Sequence, residues 1–425
     1  MKFQTAVAGS YSLTVRSIVL AACTLIGIVT VSADDWPAWR GPRGDGISHE
    51  PNVPVRWSST ENIAWSVAVP GIGWSSPIVL GDRVFLTTST PEDEARRVLC
   101  YQATNGRLLW NRNVHQGPGG KMHRQNSSAS STPATDGNHV YAAFVDDEGM
   151  TVAGLTMDGE IVWKTSPGSY FSNHGFAASP VLYQGGVIVN GHQDGAAFVV
   201  MLDKITGQEI WRFKPAVDLR SFSTPIIIQH DGQDIMILTG ASQTVALNPA
   251  TGELIWYAVG PSEKFVSTPS VGHGLVFSFG GSNEKRAMAV RLGGSGDVTA
   301  THIEWRAERG MPYVPTPLLS GDYLHIVNDM GIYSCLDAKT GKQISQSRSL
   351  GSVYSSPVMV EDRIYFFEDS GACSVIRDEP GFQLIAKNEL GMQTFCTPAV
   401  AHESLFVRTN ERLLRIHHKA VDQPD

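Results

Sequence analysis

The sequence predicts an all-β ring: an eight-bladed β-propeller of four-stranded antiparallel blades, closed by the N-terminal strand. Three observations carry this. A Ser/Thr-Ser/Thr-Pro step, or a close variant, recurs with its proline at Pro77, Pro133, Pro180, Pro225, Pro269, Pro317, Pro357 and Pro398, a period of about 46 residues. A Gly-x-x-x-Trp step follows several of them: Gly106 to Trp110, Gly159 to Trp163, Gly207 to Trp211 and Gly252 to Trp256. One further Trp strand, Asn62-Ile63-Ala64-Trp65-Ser66, precedes the first proline and has no unit of its own.

The third unit shows the internal design. Ser179 to Tyr183 is a short strand, and Gln184-Gly185-Gly186 turns the chain. Val187 to Asn190 is the second strand and Ala196 to Leu202, nearly all apolar, the third. Asp203-Lys204-Ile205-Thr206-Gly207 turns again, with Asp suited to bonding turn amides and Gly to positive φ. Gln208 to Phe213 is the fourth strand, carrying Trp211. Four short strands with turn residues between them, and no space for a helix, describe a propeller blade.

Departures from the pattern are local. Trp305 ends the fifth unit without the Gly spacing, and Ser345 and Ile385 stand where the sixth and seventh units would have Trp. The last unit has strands at Pro398 to Val400, Ser404 to Arg408 and Leu413 to His417, and then stops one strand short. The orphan Trp65 strand is the one that completes it, which removes a free sheet edge and locks the ring.

Composition excludes several classes of protein. The chain has 425 residues, 42% of them hydrophobic, which is enough for a large core and too apolar for wholesale disorder. Its net charge is −8, so it lacks the basic surface that drives nucleic-acid binding. A single apolar run, Ile18 to Val31, argues against an integral membrane protein with several spans.

That run follows Lys2 and Arg16 and leads to Val31-Ser32-Ala33, the pattern of a secretory signal peptide cleaved after Ala33. The rival reading is a lipobox, Leu20-Ala21-Ala22-Cys23, with a lipid anchor on Cys23; the apolar run continuing past Cys23 weighs against it. Either way the product is exported, to the periplasm or beyond. The expected organisation is a signal peptide (1–33), an N-terminal extension (34–60), the propeller (61–418) and a C-terminal tail (419–425). Cys100, Cys335, Cys373 and Cys396 fit no CxxC or CxxCH pattern, which favours buried single thiols.

Leu202-Asp203-Lys204-Ile205-Thr206-Gly207-Gln208-Glu209-Ile210-Trp211, with Leu247 to Trp256 and Leu336 to Gly341, resembles the repeat of the PQQ-like β-propellers. That superfamily includes quinoprotein alcohol dehydrogenases and the propeller lipoprotein of the outer-membrane assembly machinery. The opening Asp35-Trp36-Pro37-Ala38-Trp39-Arg40-Gly41-Pro42 is similar to exported PQQ-repeat proteins of planctomycete-type bacteria, and the resemblance runs from about residue 35 to 418. It implies the fold and leaves the activity open, because propellers host many activities. In the enzymes of the superfamily PQQ stacks between a Trp and, in many members, a disulfide of adjacent cysteines, with Ca²⁺ held by Glu, Asn and Asp. This chain has no adjacent cysteines and no ligand set that can be matched. The favoured reading is a non-catalytic binding or scaffolding protein at the cell envelope, meeting envelope proteins or carbohydrate through its loops and funnel. It needs no cofactor. The alternative is a PQQ-dependent alcohol or sugar dehydrogenase carrying PQQ and calcium.

The residues just before each proline surround the mouth of the central channel. Trp74, Phe222, Tyr354 and Phe395 lie three residues before theirs, and Phe176, Phe265 and Tyr313 four before. The second unit instead carries a long insertion, His115 to Ser130, with Lys121, His123 and Arg124; Asn173, His174, Arg220 and Lys264 lie nearby. Two readings follow: a ligand funnel that stacks a planar or sugar molecule and attracts anions, or aromatics that plug the channel. No catalytic residues and no metal site are predicted. His417-His418 and Asp146-Asp147-Glu148-Gly149 read as a frayed end and a hairpin turn.

The N-terminal pattern makes one expectation testable. Edman sequencing of the mature protein should begin Asp34-Asp35-Trp36. A lipid-modified Cys23 detected by mass spectrometry would establish the rival.

Overall fold

The computed structural model describes Met1, residues 35–282 and residues 284–418. The expected signal peptide, Cys23 and the C-terminal tail therefore lie outside the described residues. The ring lies within one compact unit, Ala33–Asp425. Eight antiparallel sheets take residues 78–116, 134–168, 181–213, 226–259, 270–307, 318–347, 358–389 and 399–416 in turn, here called blades one to eight. Each first strand starts directly after its repeat proline, as Ile78, Ala134, Val181, Ile226, Ser270, Leu318, Val358 and Ala399. Blade three is Val181–Tyr183, Gly186–Gly191, Phe198–Asp203 and Glu209–Phe213, paired in that order.

The closure is as expected. Ile63–Ala68 is the fourth strand of blade eight, antiparallel to Arg412–Ile416, with Trp65 opposite Arg415 and Val67 opposite Leu413. Blade five differs from expectation by holding a one-turn helix, Thr299–His302. The chain there leaves the blade, lays Gly296–Asp297 parallel along Trp256 and Tyr257 as a fifth strand on blade four, and returns as Ile303–Ala307. This detour replaces the usual turn, which is why Trp305 lacks its Gly spacing. Cys100, Cys335, Cys373 and Cys396 are buried and free of disulfides. Asp146 accepts the amides of Glu148 and Gly149, so that acidic stretch is a hairpin turn.

Two repeated contacts join the blades. The first uses the Trp. The indole Nε1 of Trp65, Trp110, Trp163, Trp211 and Trp305 donates to a turn carbonyl of the next blade: Ala103, Met157, Lys204, Pro249 and Ala338, at 2.9–3.1 Å. The glycine of that same turn lies beneath the ring. An added Cβ on Gly252 would stand 2.6 Å from Cε3 of Trp211, and its φ is +74°. The turn glycine of the repeat is thus the seat for the preceding blade's Trp. Trp256 is the informative exception: it is wholly buried, yet its Nε1 has no partner among the described residues, because the blade-five detour has removed the receiving turn.

The second contact uses the hydroxyl before each proline. The amide of Ser76 donates to Thr132 Oγ1, Thr132 to Ser179 Oγ, Ser179 to Thr224 Oγ1, Thr268 to Thr316 Oγ1, Thr316 to Ser356 Oγ, Ser356 to Thr397 Oγ1, and Thr397 back to Ser76 Oγ. All seven bonds are 2.9–3.1 Å. They form a girdle around the channel, interrupted only between Thr224 and Thr268. There the Thr268 hydroxyl accepts Trp39 Nε1 instead, at 3.1 Å.

Trp39 belongs to the N-terminal segment, which spans the end of the channel opposite the mouth. Trp36 pairs with Val79 of blade one, and the Pro37 carbonyl accepts Thr135 of blade two. The wholly buried Arg40 guanidinium donates to the carbonyls of Pro317, Pro357 and Asp45. Burial lowers its pKa to about 10, so it keeps its charge at neutral pH. Ile47–Ser48 then runs parallel to Met359 and Val360 of blade seven, and Glu50 accepts the Glu403 amide of blade eight.

Two outcomes follow from this packing. Gly252→Ala should destabilise the protein by roughly 2–4 kcal/mol, combining left-handed strain with a clash against Trp211. Gly232→Ala, at φ +77° with nothing within 4 Å of the added Cβ, should cost only about 1 kcal/mol. Chemical denaturation of both variants compares them, and equal losses would refute the seating of Trp211.

The second concerns His192, which is buried and bonded through Nδ1 to Asn190 Oδ1 at 2.7 Å. Desolvation lowers its pKa from 6.5 to about 4. The unfolded chain therefore takes up this proton first. The stability due to a neutral His192 is complete above pH 6.5 and falls as the pH drops toward 4, by roughly 3 kcal/mol. His192→Gln should flatten the loss of stability across that window; an unchanged pH profile would count against it.

Candidate functional site

At the mouth of the channel the pre-proline segments enclose a cavity of about 200 Å³. Its geometry follows from strand alternation. A residue before proline is held extended, so positions one and three before the proline share a face. All eight residues three before line the cavity: Trp74, Ser130, Ala177, Phe222, Val266, Val314, Tyr354 and Phe395. Below them come seven of the eight girdle residues, Ser76, Thr132, Ser179, Thr224, Thr268, Thr316 and Ser356, with the Trp39 ring at the floor.

Positions four before the proline have the opposite parity. Phe176 turns into its blade, edge-on to Tyr170 at 5.5 Å, and Phe265 is fully buried. Tyr313 still reaches the wall, where its loop is held by Asp329, which accepts the Tyr313 and Val314 amides at 3.2 and 3.0 Å.

Of the candidate residues, the structure brings Trp74, His123, His174, Phe222, Tyr313, Tyr354 and Phe395 together on the cavity wall. The cations do not join them. Arg220 is paired with Asp194 outside the lining, Arg124 and Asn173 are exposed, and Lys264 is absent from the wall. Lys121 and Phe176 flank a small neighbouring pocket. A cation in contact with this apolar wall would give up its hydration without a counter-charge, which is the physical reason the four stay out. Sequence reasoning missed Trp39, Gln125, Asn126, Ser130, Ala177, Val266, Val314 and the hydroxyls. The period-two alternation before each proline is the signal that finds all of these but Trp39, Gln125 and Asn126.

The blade-two insertion forms a strap over the cavity. It runs from Gly117 to Ser130, since His115 and Gln116 belong to the strand Leu108–Gln116. The Ala129 carbonyl accepts the amides of Trp74 and Ser75, and Asn126 Nδ2 donates to the His174 carbonyl at 2.7 Å. Tyr354 of blade seven donates from its hydroxyl to Gln125 Oε1 at 2.9 Å, fastening the strap across the mouth. The His123 and His174 rings lie parallel, 6.1 Å apart. Burial, then Arg220, Lys264 and His123, hold the His174 pKa below its ordinary value, so this ring is neutral at pH 7.

On the opposite side Trp74, Phe395 and Tyr354 form a continuous aromatic wall, with centroid spacings of 4.6 and 5.2 Å. Among the described residues no Asp, Glu, Lys or Arg lines the cavity. This donor set does not fit PQQ with calcium: three quinone carboxylates would meet no cation, and a calcium ion no carboxylate. Among the described residues no group of three His, Cys, Asp or Glu side chains is placed to hold a metal.

Comparison with known proteins bears on the fold. BamB from Moraxella catarrhalis superposes with a TM-score of 0.58 at 14% identity, covering 85% of this chain and 99% of that one. The computationally designed Ika8 protein gives 0.59 at 11% identity, covering 83% and 99%. A europium-containing methanol dehydrogenase gives 0.50 at 10% identity, covering 89% of each chain. At these identities the likeness is one of fold. No curated protein sequence matches the chain. The family model described as outer membrane protein assembly factor BamB matches residues 49–144 and 94–347. With that match over most of its length and the eight repeats seated as blades, the chain belongs to the PQQ-like β-propeller repeat family.

Proposed function

We propose that this chain is made with a leader spanning residues 1–33, is exported, and acts as a non-catalytic binding or scaffolding propeller at the cell envelope. Its loops and funnel serve envelope proteins or carbohydrate. One observation carries the reading: among the described residues the cavity where a cofactor or substrate would react is lined without a single carboxylate, lysine or arginine. General acid–base chemistry there would rest on His123, His174 and the hydroxyls of Tyr313 and Tyr354, and among the described residues neither histidine is bonded to an orienting carboxylate. The strong motifs of the chain are spent on joining blades. The name of the family model, an outer-membrane assembly factor, supports an envelope role, and a net charge of −8 speaks against nucleic acid. Among the described residues no helix is long and apolar enough to cross a membrane.

The test uses the purified chain with added PQQ and Ca²⁺. No PQQ absorbance should remain after desalting, and no artificial electron acceptor should be reduced with alcohol or aldose substrates. Retained PQQ together with dye reduction would overturn the non-catalytic reading.

A further inference from the structure

We propose that the funnel binds a single uncharged pyranose, free or as the end residue of a glycan, against the Trp74–Phe395–Tyr354 wall and above the hydroxyl girdle. This deepens the reading of the funnel as a ligand site and rests on it.

The girdle supplies the first argument. Each of its eight hydroxyls accepts one hydrogen bond, seven from a backbone amide and Thr268 from Trp39. None of them donates to a protein atom among the described residues. All eight are buried, at 5% exposure or less, and seven border the cavity. A buried donor without an acceptor costs about 1–3 kcal/mol, so the cavity floor calls for a molecule rich in acceptor oxygens.

The wall supplies the second. Three contiguous aromatic rings on one side, successive planes tilted by 48°, offer apolar surface for C–H groups, while Gln125 Nε2, His123 Nε2 and His174 Nδ1 of the strap side have no protein partner among the described residues. His174 Nδ1 is buried with no partner among the described residues. The occupant therefore needs one apolar face and polar groups both above and below it.

Charge supplies the third. With no ionised side chain in the lining among the described residues, a carboxylate, phosphate or ammonium group would lose hydration and touch no counter-charge, since Arg220 and Lys264 act on the wall only from behind it. An apolar aromatic would satisfy the wall but strand the hydroxyl donors. A neutral pyranose meets all three demands, with C–H groups on its face and hydroxyls around its edge. The size agrees. A cavity of about 200 Å³ exceeds the ~150 Å³ that holds a benzene ring and falls below the ~300 Å³ at which drug-sized pockets begin.

The experiment is isothermal titration calorimetry of the full mature chain. The neutral probes are glucose, galactose, mannose and N-acetylglucosamine; glucuronate and glucosamine are their charged counterparts. At least one neutral sugar should bind saturably, and its charged counterparts at least tenfold more weakly. Ala177→Phe, which fills the cavity, should abolish that binding without lowering the melting temperature. Phe395→Leu, which removes part of the stacking wall, should weaken it about tenfold. Cellotriose or chitotriose binding as tightly as its monomer assigns the site to glycan ends; binding of the monomer alone assigns it to free sugars. No saturable binding of any neutral sugar, equal binding of charged ones, or binding that survives both variants would overturn the proposal. Retained PQQ with dye reduction would instead overturn the non-catalytic reading, so the two failures are distinguishable.

Discussion

The ring depends on a hydrogen bond repeated around its axis: the amide of a residue before proline given to the hydroxyl of the equivalent residue in the next blade. Each bond alone is worth about 1 kcal/mol. Its larger effect is geometric. The proline fixes the preceding residue as extended, and the hydroxyl then sets how far apart successive first strands lie. Because the last bond runs from Thr397 back to Ser76, the spacing has to close on itself after eight steps. The same girdle sets the parity of the segments above it, and so decides which side chains border the cavity.

Farther from the axis, the Trp and the turn glycine hold neighbouring blades together, and the joints that lack them are repaired differently. Blade six has Ser345 in place of Trp, and a polar group joins the apolar packing of Leu318, Tyr333 and Cys335 on Ile364 and Phe366 of blade seven. His325 Nε2 lies 2.9 Å from Asp378 Oδ1, His325 Nδ1 lies 2.9 Å from the Tyr333 hydroxyl, and Ser320 donates to Asp378. These bonds hold the Asp378 carboxyl below the ordinary range despite burial that pushes it up. Between blades four and five the Trp256 indole keeps its packing and gives up its hydrogen bond, the local consequence of the helical detour.

The N-terminal segment couples fold to site. It touches blades one, two, five, six, seven and eight, and Arg40 ties it to carbonyls at the far end of the channel. By placing Trp39 on Thr268 it interrupts the girdle at one point and turns an open channel into a blind funnel. The strap fastened by Gln125 and Tyr354 restricts the other end. A cavity closed below and narrowed above offers a partly enclosed wall, and the lack of charge in its lining among the described residues becomes a selective property.

The sequence by itself determined the blade count, the strand order within each blade and the strand that closes the ring, and it placed Trp74, Tyr354 and Phe395 before their prolines. These are consequences of local chemistry repeated eight times: proline and glycine at fixed positions, period-two strands, one Trp per blade. Only the tertiary structure decided that Lys121, Arg124, Arg220 and Lys264 stay off the wall, that Ala177 and Val266 rather than Phe176 and Phe265 border it, and that Trp39 forms its floor. The first follows from desolvation at a surface that exists only once the ring has closed. The second follows from parity, which a count of residues before proline does not reveal until the extended direction is known. The third joins Trp39 to Thr268 across 229 positions of chain, and no local pattern encodes a contact of that length.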